Sequence, residues 1–471
     1  MADAEARVVS RRALLRRGGL VLGLSALATL AGCTPPAKTP AGVQATPAAA
    51  PTTPPAFTAT GSLARTPVAT PNPSPTPTSV LRLATNHAPI ELPWLRKALE
   101  SFGRDRVAVE VVNTTTGYLG QIASWAADGK LPSVIYVRGQ HAAAWDYKGW
   151  ITPLDDLIRR DESEVATRDL YQTVLPEVRR NDRWLMLPTS LSVAALFGNA
   201  GAFRAADVEP PKGDWDWSAL LDTARRVGKG ARGNGIRWGL SWRPDHVDLA
   251  AAWRAADPAT VPADGRGLVI DGGGSAAVVQ SLADLALVDK AAPTDAELIS
   301  GAVAFETGSV AIEGSGSWAA SRYRTTPRAS AVVALPPRGA AGQRSVAVTT
   351  AGWALTRDSH NRDNAWTLLK HLTGRDAIDL MVTLPMRDLP ARQSSAALWL
   401  EGLRAVDGPG GADAIVRLAS EAVALPTVPW WMEFQDACDE YLPMVWAGQK
   451  KAADVLSEIQ ARANTAARRF G

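Results

Sequence analysis

Short strand-like runs alternate with amphipathic helical stretches along most of this chain. Three apolar runs, at 80–84, 107–112 and 134–137, are separated by helical patterns that begin near Leu92 and Gly120. A strand that is followed by a helix and another strand needs a right-handed crossover, which produces a parallel sheet covered by helices. The alternation therefore predicts an α/β fold.

The ends of these predicted strands indicate where a ligand would bind. In parallel sheets, ligands occupy the crevice beyond the carboxyl ends of the strands. The loops at 86–87, 115–118 and 138–141 follow the three strands and contain amide, imidazole, phenol and guanidinium groups. We expect these loops to line a binding cleft.

Residues 34–78 form a Pro/Thr/Ala tract that differs from the rest of the chain. The tract contains twelve prolines, and Lys38 and Arg65 are its only charged residues. Such a segment cannot bury a core, so we expect an extended, disordered spacer. At about 3.1 Å per residue, the spacer could reach on the order of 100 Å.

The sequence before this spacer has the pattern of an export signal. Residues 10–33 (SRRALLRRGGLVLGLSALATLAGC) contain a basic head, a short apolar run and a small-residue end. The run is shorter than the roughly 20 residues that span a bilayer, which argues against the alternative of a transmembrane anchor. The paired arginines resemble the bacterial twin-arginine signal, with Sec export as the alternative. Residues 30–33 (LAGC) resemble a lipobox, which implies cleavage before Cys33 and a diacylglyceryl group on its thiol.

The charge balance argues against a strongly basic or acidic partner. The formal charge of +3 comes from the predicted signal, because residues 1–32 contain five arginines and two carboxylates. The remaining 45 basic and 45 acidic residues leave the mature chain formally neutral. We therefore expect no nucleic-acid partner.

The cysteine, histidine and tryptophan contents limit the possibilities further. With Cys33 assigned to the lipid, Cys438 is the one cysteine left, so an intramolecular disulfide and a thiolate metal site are both excluded. The five histidines lack metal-ligand spacing, and we expect no metal and no cofactor. The 17 tryptophans, all at or beyond Trp94, would supply core burial and, for a minority, a ligand surface.

Several short segments follow one another in a characteristic order. They are residues 149–157 (GWITPLDDL), Leu187 with Pro188, residues 197–199 (FGN) with Phe203 and Pro210, residues 305–318 (FETGSVAIEGSGSW), residues 335–337 (LPP), Gly352 with Trp353, residues 364–366 (NAW), residues 384–387 (LPMR) and residues 429–431 (PWW). Their order resembles that of the carbohydrate-type extracellular solute-binding proteins (family 1) of bacterial ABC importers, in their lipoprotein form. One departure is Gly198, where the family usually has a second aromatic residue.

The resemblance implies a periplasmic-binding-protein-like, two-lobed clamp, in which each lobe is a mainly parallel sheet flanked by helices. The chain would cross between the lobes at three hinges, near Pro188, Thr349 and Pro426. A ligand would bind between the lobes, and closure about the hinges would be the signal that the permease recognises.

These inferences give a domain plan. We expect residues 1–32 to be a twin-arginine-type lipoprotein signal peptide, and residues 33–78 to be the lipidated Cys33 with its disordered tether. Lobe 1 would combine residues 79–188 with 349–425, and lobe 2 would combine residues 189–348 with 426–471.

A sugar site needs aromatic platforms for the apolar ring faces and fixed polar groups around the ring edges. The aromatic candidates fall where loops should face the cleft: Trp242, Trp318, Trp353, Trp430 and Trp431. For Trp318 and Trp353, the alternative is a place in a lobe core. Trp430 and Trp431 are adjacent and point in different directions, so we expect one of them to face the ligand.

The polar candidates come from loops after predicted strands and from segments that match the family. They are Asn86, His87, Tyr118, Gln121, Arg138, Gln140, His141, Ser190, Ser192, Arg243, Asp245 and Arg387. Their alternative is a solvated loop position. Arg387 stands out because Pro-x-Arg is a motif of that family, and a planar guanidinium can donate two hydrogen bonds to neighbouring oxygens.

Enzyme chemistry has little support in the sequence, and we expect no catalytic residue. Glycoside hydrolysis needs two carboxylates about 5 to 10 Å apart, whereas Asp155 and Asp156 suit a helix cap better. The G-x-S-x-G motif is absent, and residues 271–275 (DGGGS) lack the lysine of a phosphate-binding loop.

Three functions remain open at this point. The first is a tethered protein that captures a mono- or oligosaccharide and delivers it to the transmembrane subunits of an ABC permease and their ATPase. It would act as a monomer in the bacterial cell envelope, lipid-anchored at the outer face of the cytoplasmic membrane. The second is the same clamp with a non-sugar solute, such as a peptide or a polyamine, or with a sensory role. The third is a lipid-tethered hydrolase.

Overall fold

The computed structural model describes residues 79–470 with short gaps. The gaps are residue 90 and residues 103–106, 211–214, 301–302, 304, 321–322, 324–330, 385–387, 408–410 and 424. The described residues belong to one compact unit, Pro75–Gly471. The predicted signal peptide, the lipidation site Cys33, the tether and Arg387 lie outside the described residues.

The strands in the described part of the chain are β1 (Ser79–Thr85), β2 (Val107–Asn113), β3 (Val134–Arg138), β4 (Arg179–Arg180), β5 (Arg183–Trp184), β6 (Leu187–Asn199), β7 (Trp238–Ser241), β8 (Val310–Gly316), β9 (Ala331–Ala334), β10 (Val348–Leu355) and β11 (Leu389–Pro390). Nine of them form one sheet in the order β2, β1, β3, β10, β6, β8 and β7, with β9 and β11 also paired to β6. A separate hairpin joins β4 to β5.

The helices in the described part are α1 (Leu92–Glu100), α2 (Tyr118–Ala127), α3 (Gly139–Tyr147), α4 (Asp155–Arg160), α5 (Glu162–Val165), α6 (Leu175–Val178), α7 (Ala200–Ala205), α8 (Trp217–Gly230), α9 (His246–Ala256), α10 (Gly273–Leu287), α11 (Asp295–Ile299), α12 (Arg362–Thr373), α13 (Arg375–Thr383), α14 (Gln393–Asp407), α15 (Gly411–Glu421), α16 (Trp431–Trp446) and α17 (Ala452–Phe470). None of these described helices is both long and apolar enough to cross a membrane.

The strands β1, β2 and β3 are parallel because helices cross over between them. β1 pairs with β2 from Ser79 opposite Val107 onwards, and β3 joins the other edge of β1. Leu81 and Leu83 of β1 are buried in one cluster with Trp94 of the following helix. The predicted strand–helix–strand order is confirmed here. We call this part of the molecule, with the helices and the β4–β5 hairpin packed on it, the β1–β3 side.

The long strands β6 and β10 connect this side to the rest of the sheet. β10 pairs antiparallel with β3 on one edge and with β6 on the other. β6 continues past β10 and pairs antiparallel with β8 and β9, while β7 lies parallel to β8. The sheet is therefore mixed, which corrects the expectation of mainly parallel sheets. Because the chain runs out along β6 and comes back along the neighbouring β10, these two strands are antiparallel.

Separate groups of helices cover the two ends of this sheet. The cluster on the β1–β3 side includes Trp366 of α12 and Trp399 of α14. A second cluster includes Trp253 of α9, Phe434 of α16 and Ile459 of α17. We call the elements around β7 and β8, with α9, α16 and α17, the β7–β8 side.

A bulge interrupts the pairing of β6 with β10 at Gly352. Ala351 lies opposite Ser190, but Gly352 lies opposite Pro188, so Thr189 is the extra residue. Proline has no N–H to donate within a sheet, and a bulge is one of the places that tolerate it. A Cβ atom on Gly352 would lie 2.1 Å from the carbonyl oxygen of Leu187, which is a backbone atom that cannot swing away.

This contact predicts that Gly352→Ala destabilises the protein. We expect the free energy of unfolding to fall by roughly 1–3 kcal/mol, the usual cost of overpacking, as measured by urea denaturation. Gly120→Ala is the matched control, because a Cβ there meets nothing within 4 Å and alanine favours a helix by roughly 0.5–1 kcal/mol over glycine. A Gly352→Ala variant as stable as the native chain would contradict this account of the bulge.

Candidate functional site

A cavity of about 320 Å³ lies at the carboxyl ends of β1 and β3. Asn86 follows β1, and Arg138 is the last residue of β3. The remaining walls include Asp245 and His246 at the start of α9 and one face of α16. The β1–β3 side and the β7–β8 side therefore both contribute to this space, which we call the cleft cavity.

Tyr118 fixes the wall of the cleft cavity on the β1–β3 side. Its buried hydroxyl lies 2.8 Å from the carbonyl oxygen of Tyr136 in β3 and 3.2 Å from that of Ala84 in β1. Burial raises the pKa of Tyr118 well above its usual value, so the hydroxyl stays protonated and acts as the hydrogen-bond donor to these carbonyl oxygens. This contact ties the start of α2 to the ends of two strands.

Charges of both signs reach the cleft cavity. Arg138 is exposed, and its guanidinium forms no ion pair or side-chain hydrogen bond with any described residue. Asp245 and Asp439 bring carboxylates from the β7–β8 side. Among the described residues, no group of three or more His, Cys, Asp or Glu side chains could hold a metal ion.

His141 links the two sides of the cleft cavity. Its Nε2 atom lies 3.2 Å from Oε1 of Gln435 on α16, and its ring stacks near that of Trp145. Burial lowers the pKa of His141 to about 4, and the positive charge of Arg138 acts in the same direction. His141 is therefore neutral at neutral pH, and in the Nε2–H tautomer it donates to Gln435.

His246 brings an unpaired nitrogen to the same cavity. Only 5% of this residue is exposed, and its Nε2 atom has no hydrogen-bond partner among the described residues. Burial lowers the pKa of His246, so the ring is neutral near neutral pH. The centroid of its ring lies 6.2 Å from that of Trp431 and 6.0 Å from that of Phe434, and these two rings hold its orientation.

Trp145 brings a second unpaired group. Its Nε1–H is buried, its side chain lines the cleft cavity, and the nitrogen has no partner among the described residues. A buried polar group without a partner costs roughly 1–3 kcal/mol, and native proteins contain few of them. Trp145 and His246 thus bring two unpaired polar atoms to residues that line one cavity.

The structure brings part of the predicted site together. The predicted residues that line the cleft cavity are Asn86, Tyr118, Arg138, Gln140, His141 and Asp245. Asp245 also caps α9, since its carboxylate accepts from the backbone N–H groups of Val247 and Asp248. The sequence reasoning missed His246, Trp145, Gln435 and Asp439. The sequence contained a signal for three of them. His246 directly follows the capping residue Asp245, and Gln435 and Asp439 lie one helical turn apart on α16.

His87 and Trp353 lie in the core of the β1–β3 side and do not line the cleft cavity. The Nδ1 atom of His87 pairs with the hydroxyl of Thr85. Its ring lies among those of Trp94, Tyr136 and Trp353, at 5.7, 4.4 and 5.8 Å between centroids. Trp353 is fully buried in this aromatic cluster. The structure therefore places both residues in packing roles.

Trp242 and Arg243 also have structural partners. Trp242 is buried and stacks on Trp217, with 5.6 Å between ring centroids and 4° between ring planes. Arg243 donates from Nε to Oδ1 of Asp295 at 3.1 Å. Neither residue lines the cleft cavity.

Trp430 and Trp431 are each only 2% exposed. Trp430 donates its Nε1–H to the carbonyl oxygen of Gly265 at 2.9 Å. Trp431 supports the ring of His246 and does not itself line the cleft cavity. The expectation that one of the pair faces the ligand directly therefore finds no support in this geometry.

The remaining candidates lie around the shared strands or on the surface. Ser192 donates from its hydroxyl to Oδ1 of Asp388 at 2.7 Å, and Ser190 is buried on the same strand. Gln121 is partly exposed on α2. Trp318 is 38% exposed just after β8. None of these residues lines the cleft cavity.

Solved structures share this fold at low sequence identity. The ABC substrate-binding protein Lmo0181 from Listeria monocytogenes, in complex with cycloalternan, has a TM-score of 0.72 and 17% identity over 82% of this chain and 98% of its own. Maltose-bound MalE3 from T. maritima has a TM-score of 0.69 and 17% identity over 82% and 100%. The GacH receptor of Streptomyces glaucescens, solved unliganded and with acarbose, has a TM-score of 0.70 and 18% identity over 83% and 99%. The fold is thus the two-lobed α/β clamp that the sequence predicts.

A sequence search of curated proteins found no match. At the family level, the profile described as bacterial extracellular solute-binding protein matches residues 88–378. This range covers more than half of the chain and includes Arg138, His141 and His246. The chain therefore belongs to the bacterial extracellular solute-binding proteins.

Proposed function

We propose that the protein captures a carbohydrate in the cleft cavity and delivers it to an ABC permease. The observation that carries this proposal is the convergence of Arg138, Trp145 and His246, each with unpaired hydrogen-bonding capacity among the described residues, on one cavity with walls from both sides. Sugars present hydroxyls that donate and accept, together with apolar ring faces, so this mixture of groups suits them. The volume of about 320 Å³ is near the lower end of ligand sites, roughly 300–1,000 Å³, which favours a mono- or short oligosaccharide.

The similar solved proteins support this ligand class. Their bound molecules are cycloalternan, maltose and acarbose, which are all carbohydrates. A clamp of this kind closes around its ligand, and the closed form is what an importer can distinguish from the empty one. The same clamp with a peptide or polyamine, or with a hydrolytic activity, is tested by the experiment below.

The lobes of this clamp follow from the same proposal. Lobe 1 would comprise residues 79–188 with 349–425, and lobe 2 residues 189–348 with 426–471. β6, β10 and the segment 425–429 would then be the three crossings. The cleft cavity would lie between the lobes, so that closure brings His246 towards Arg138.

We expect calorimetric titration to detect binding of at least one saccharide. Arg138→Ala and His246→Phe should each weaken this binding by about 10- to 100-fold, because losing a hydrogen bond at a buried or charged group costs about 1.5–3 kcal/mol. His246→Phe keeps the ring volume and removes the nitrogen. Arg226→Ala, on the exposed face of α8, removes the same charge away from the cavity and should leave affinity unchanged.

Two results would contradict the carbohydrate proposal. Binding of peptides or polyamines without any saccharide would keep the clamp and replace its ligand. Release of sugar products during the titration would favour the hydrolase instead.

The leader sequence supports a lipid-anchored location in the cell envelope. Residues 1–32 would be a twin-arginine-type signal peptide, residues 33–78 a tether, and the protein would work as a monomer outside the cytoplasmic membrane. The support is the lipobox-like sequence that ends at Cys33. A tether of this length would let the clamp reach the permease.

Cys33→Ser should therefore release the protein from membranes. Metabolic labelling with a fatty acid, followed by fractionation, should find label and membrane association in the native chain and neither in the variant. Cys438→Ser is the matched control, because this buried cysteine lies in the folded part. Equal membrane association of Cys33→Ser and the native chain would overturn the lipid anchor.

A further inference from the structure

A second, larger cavity shares no lining residue with the cleft cavity. Its volume is about 760 Å³. Its walls are the β4–β5 hairpin, the segment 425–429 that leads into α16, the loop 263–266 and the end of α17. We call this space the arginine groove.

Positive charge dominates the arginine groove. Its ionisable lining residues are Arg179, Arg180, Arg254, Arg266, Arg468 and Asp264. Guanidinium groups keep their charge at every physiological pH. The described lining therefore has an excess of about four positive charges, which attracts anions.

Part of this charge has no counter-ion. Arg180 is half-buried, and its side chain forms no ion pair or hydrogen bond with a described residue. The guanidinium of Arg468 donates to the hydroxyl of Thr465 at 3.0 Å and pairs with no described carboxylate. Arg179 reaches the exposed Asp182 through Nη2, but its Nε is buried without a partner in the described part of the chain. The guanidinium groups of Arg180 and Arg468 are therefore the ones available to an anion in the groove.

The other two arginines have partners among the described residues. Arg254 donates to the carbonyl oxygens of Pro258 and Val261 and so holds the chain after α9. The Nε atom of Arg266 lies 3.6 Å from Oδ2 of Asp264 within the loop. An anion would therefore depend mainly on Arg180 and Arg468.

The floor of the groove is apolar. Leu425, Trp430 and Phe470 contribute to it. Trp430 is only 2% exposed, and its Nε1–H already donates to Gly265, so the half-buried Leu425 and Phe470 supply the accessible apolar surface. The ligand that fits this arrangement has an acidic group and an apolar body.

Contacts within the protein hold the groove in shape. Gly265 has a φ of +67°, and a Cβ atom there would lie 2.3 Å from a methyl carbon of Val428. The loop 263–266 and the segment 425–429 are therefore tightly packed against each other. In the hairpin, Asn181 and Asp182 have φ values of 49° and 59°, the pattern of a tight type I′ turn. The hydroxyl of Thr427 also donates to a carbonyl oxygen in α6.

We propose that the arginine groove binds an organic anion, whose carboxylate or phosphate is held by Arg180 and Arg468 and whose apolar part lies against Leu425 and Phe470. The walls come from the β1–β3 side, the 425–429 segment and the β7–β8 side. An anion that prefers the open or the closed clamp would shift the balance between them and change solute affinity. That consequence rests on the proposed function, whereas anion binding itself does not.

Calorimetric titration of the intact protein, without sugar, tests the proposal. The probes are phenyl phosphate, the neutral analogue phenol, and vesicles of phosphatidylglycerol. We expect an anionic probe to bind at least tenfold more tightly than phenol, with an affinity that falls as salt is added. The double variant Arg180→Ala with Arg468→Ala should lose at least tenfold in this affinity. Arg226→Ala with Arg469→Ala removes the same charge outside the groove and should not.

Each outcome separates the alternatives. Binding of phenyl phosphate through Arg180 and Arg468 identifies a soluble anion, and binding of vesicles alone through the same residues identifies a lipid headgroup. Either result supports the site. Equal affinity in the two double variants, or no binding of either anionic probe, would overturn it. Because sugar is absent, failure of carbohydrate binding leaves this test intact.

Discussion

The antiparallel pairing of β6 with β10 is the constraint on which the rest of the structure depends. β10 pairs with β3 on its other edge, and β6 pairs with β8. Both groups of helices therefore pack on one continuous sheet. The bulge at Gly352 lies inside this pairing, opposite Pro188. Because β1 and β3 end beside the start of α9, the shared strands fix the distance across the cleft cavity.

The electrostatics of the cavity follow from burial. Two histidines from opposite sides, His141 and His246, are kept neutral because water is excluded from their rings. A neutral imidazole can donate at one nitrogen and accept at the other, which matches a hydroxyl better than a cation would. In the proposed function, Arg138 would supply the strong donor and Asp245 an acceptor. A solute that bridges these groups would hold the two sides together.

The sequence predicted the α/β clamp, and its candidates that follow strands include residues that line the cleft cavity, because a strand end leads directly to it. Asn86, Arg138 and Asp245 are such cavity-lining residues. Tertiary contacts decided the other positions. The partner of Arg243 lies 52 residues away on α11, and the inward direction of Trp353 depends on the strands beside β10. The sheet proved mixed because the direction of β10 depends on how the chain returns, which local patterns do not encode.

The most direct test of the central claim is a crystal structure of the protein with the saccharide that binds it. The account predicts the sugar in the cleft cavity, with hydroxyl oxygens about 2.7–3.2 Å from the guanidinium of Arg138 and from Nε2 of His246. A sugar bound elsewhere, with Trp145 and His246 still unpaired, would contradict the account.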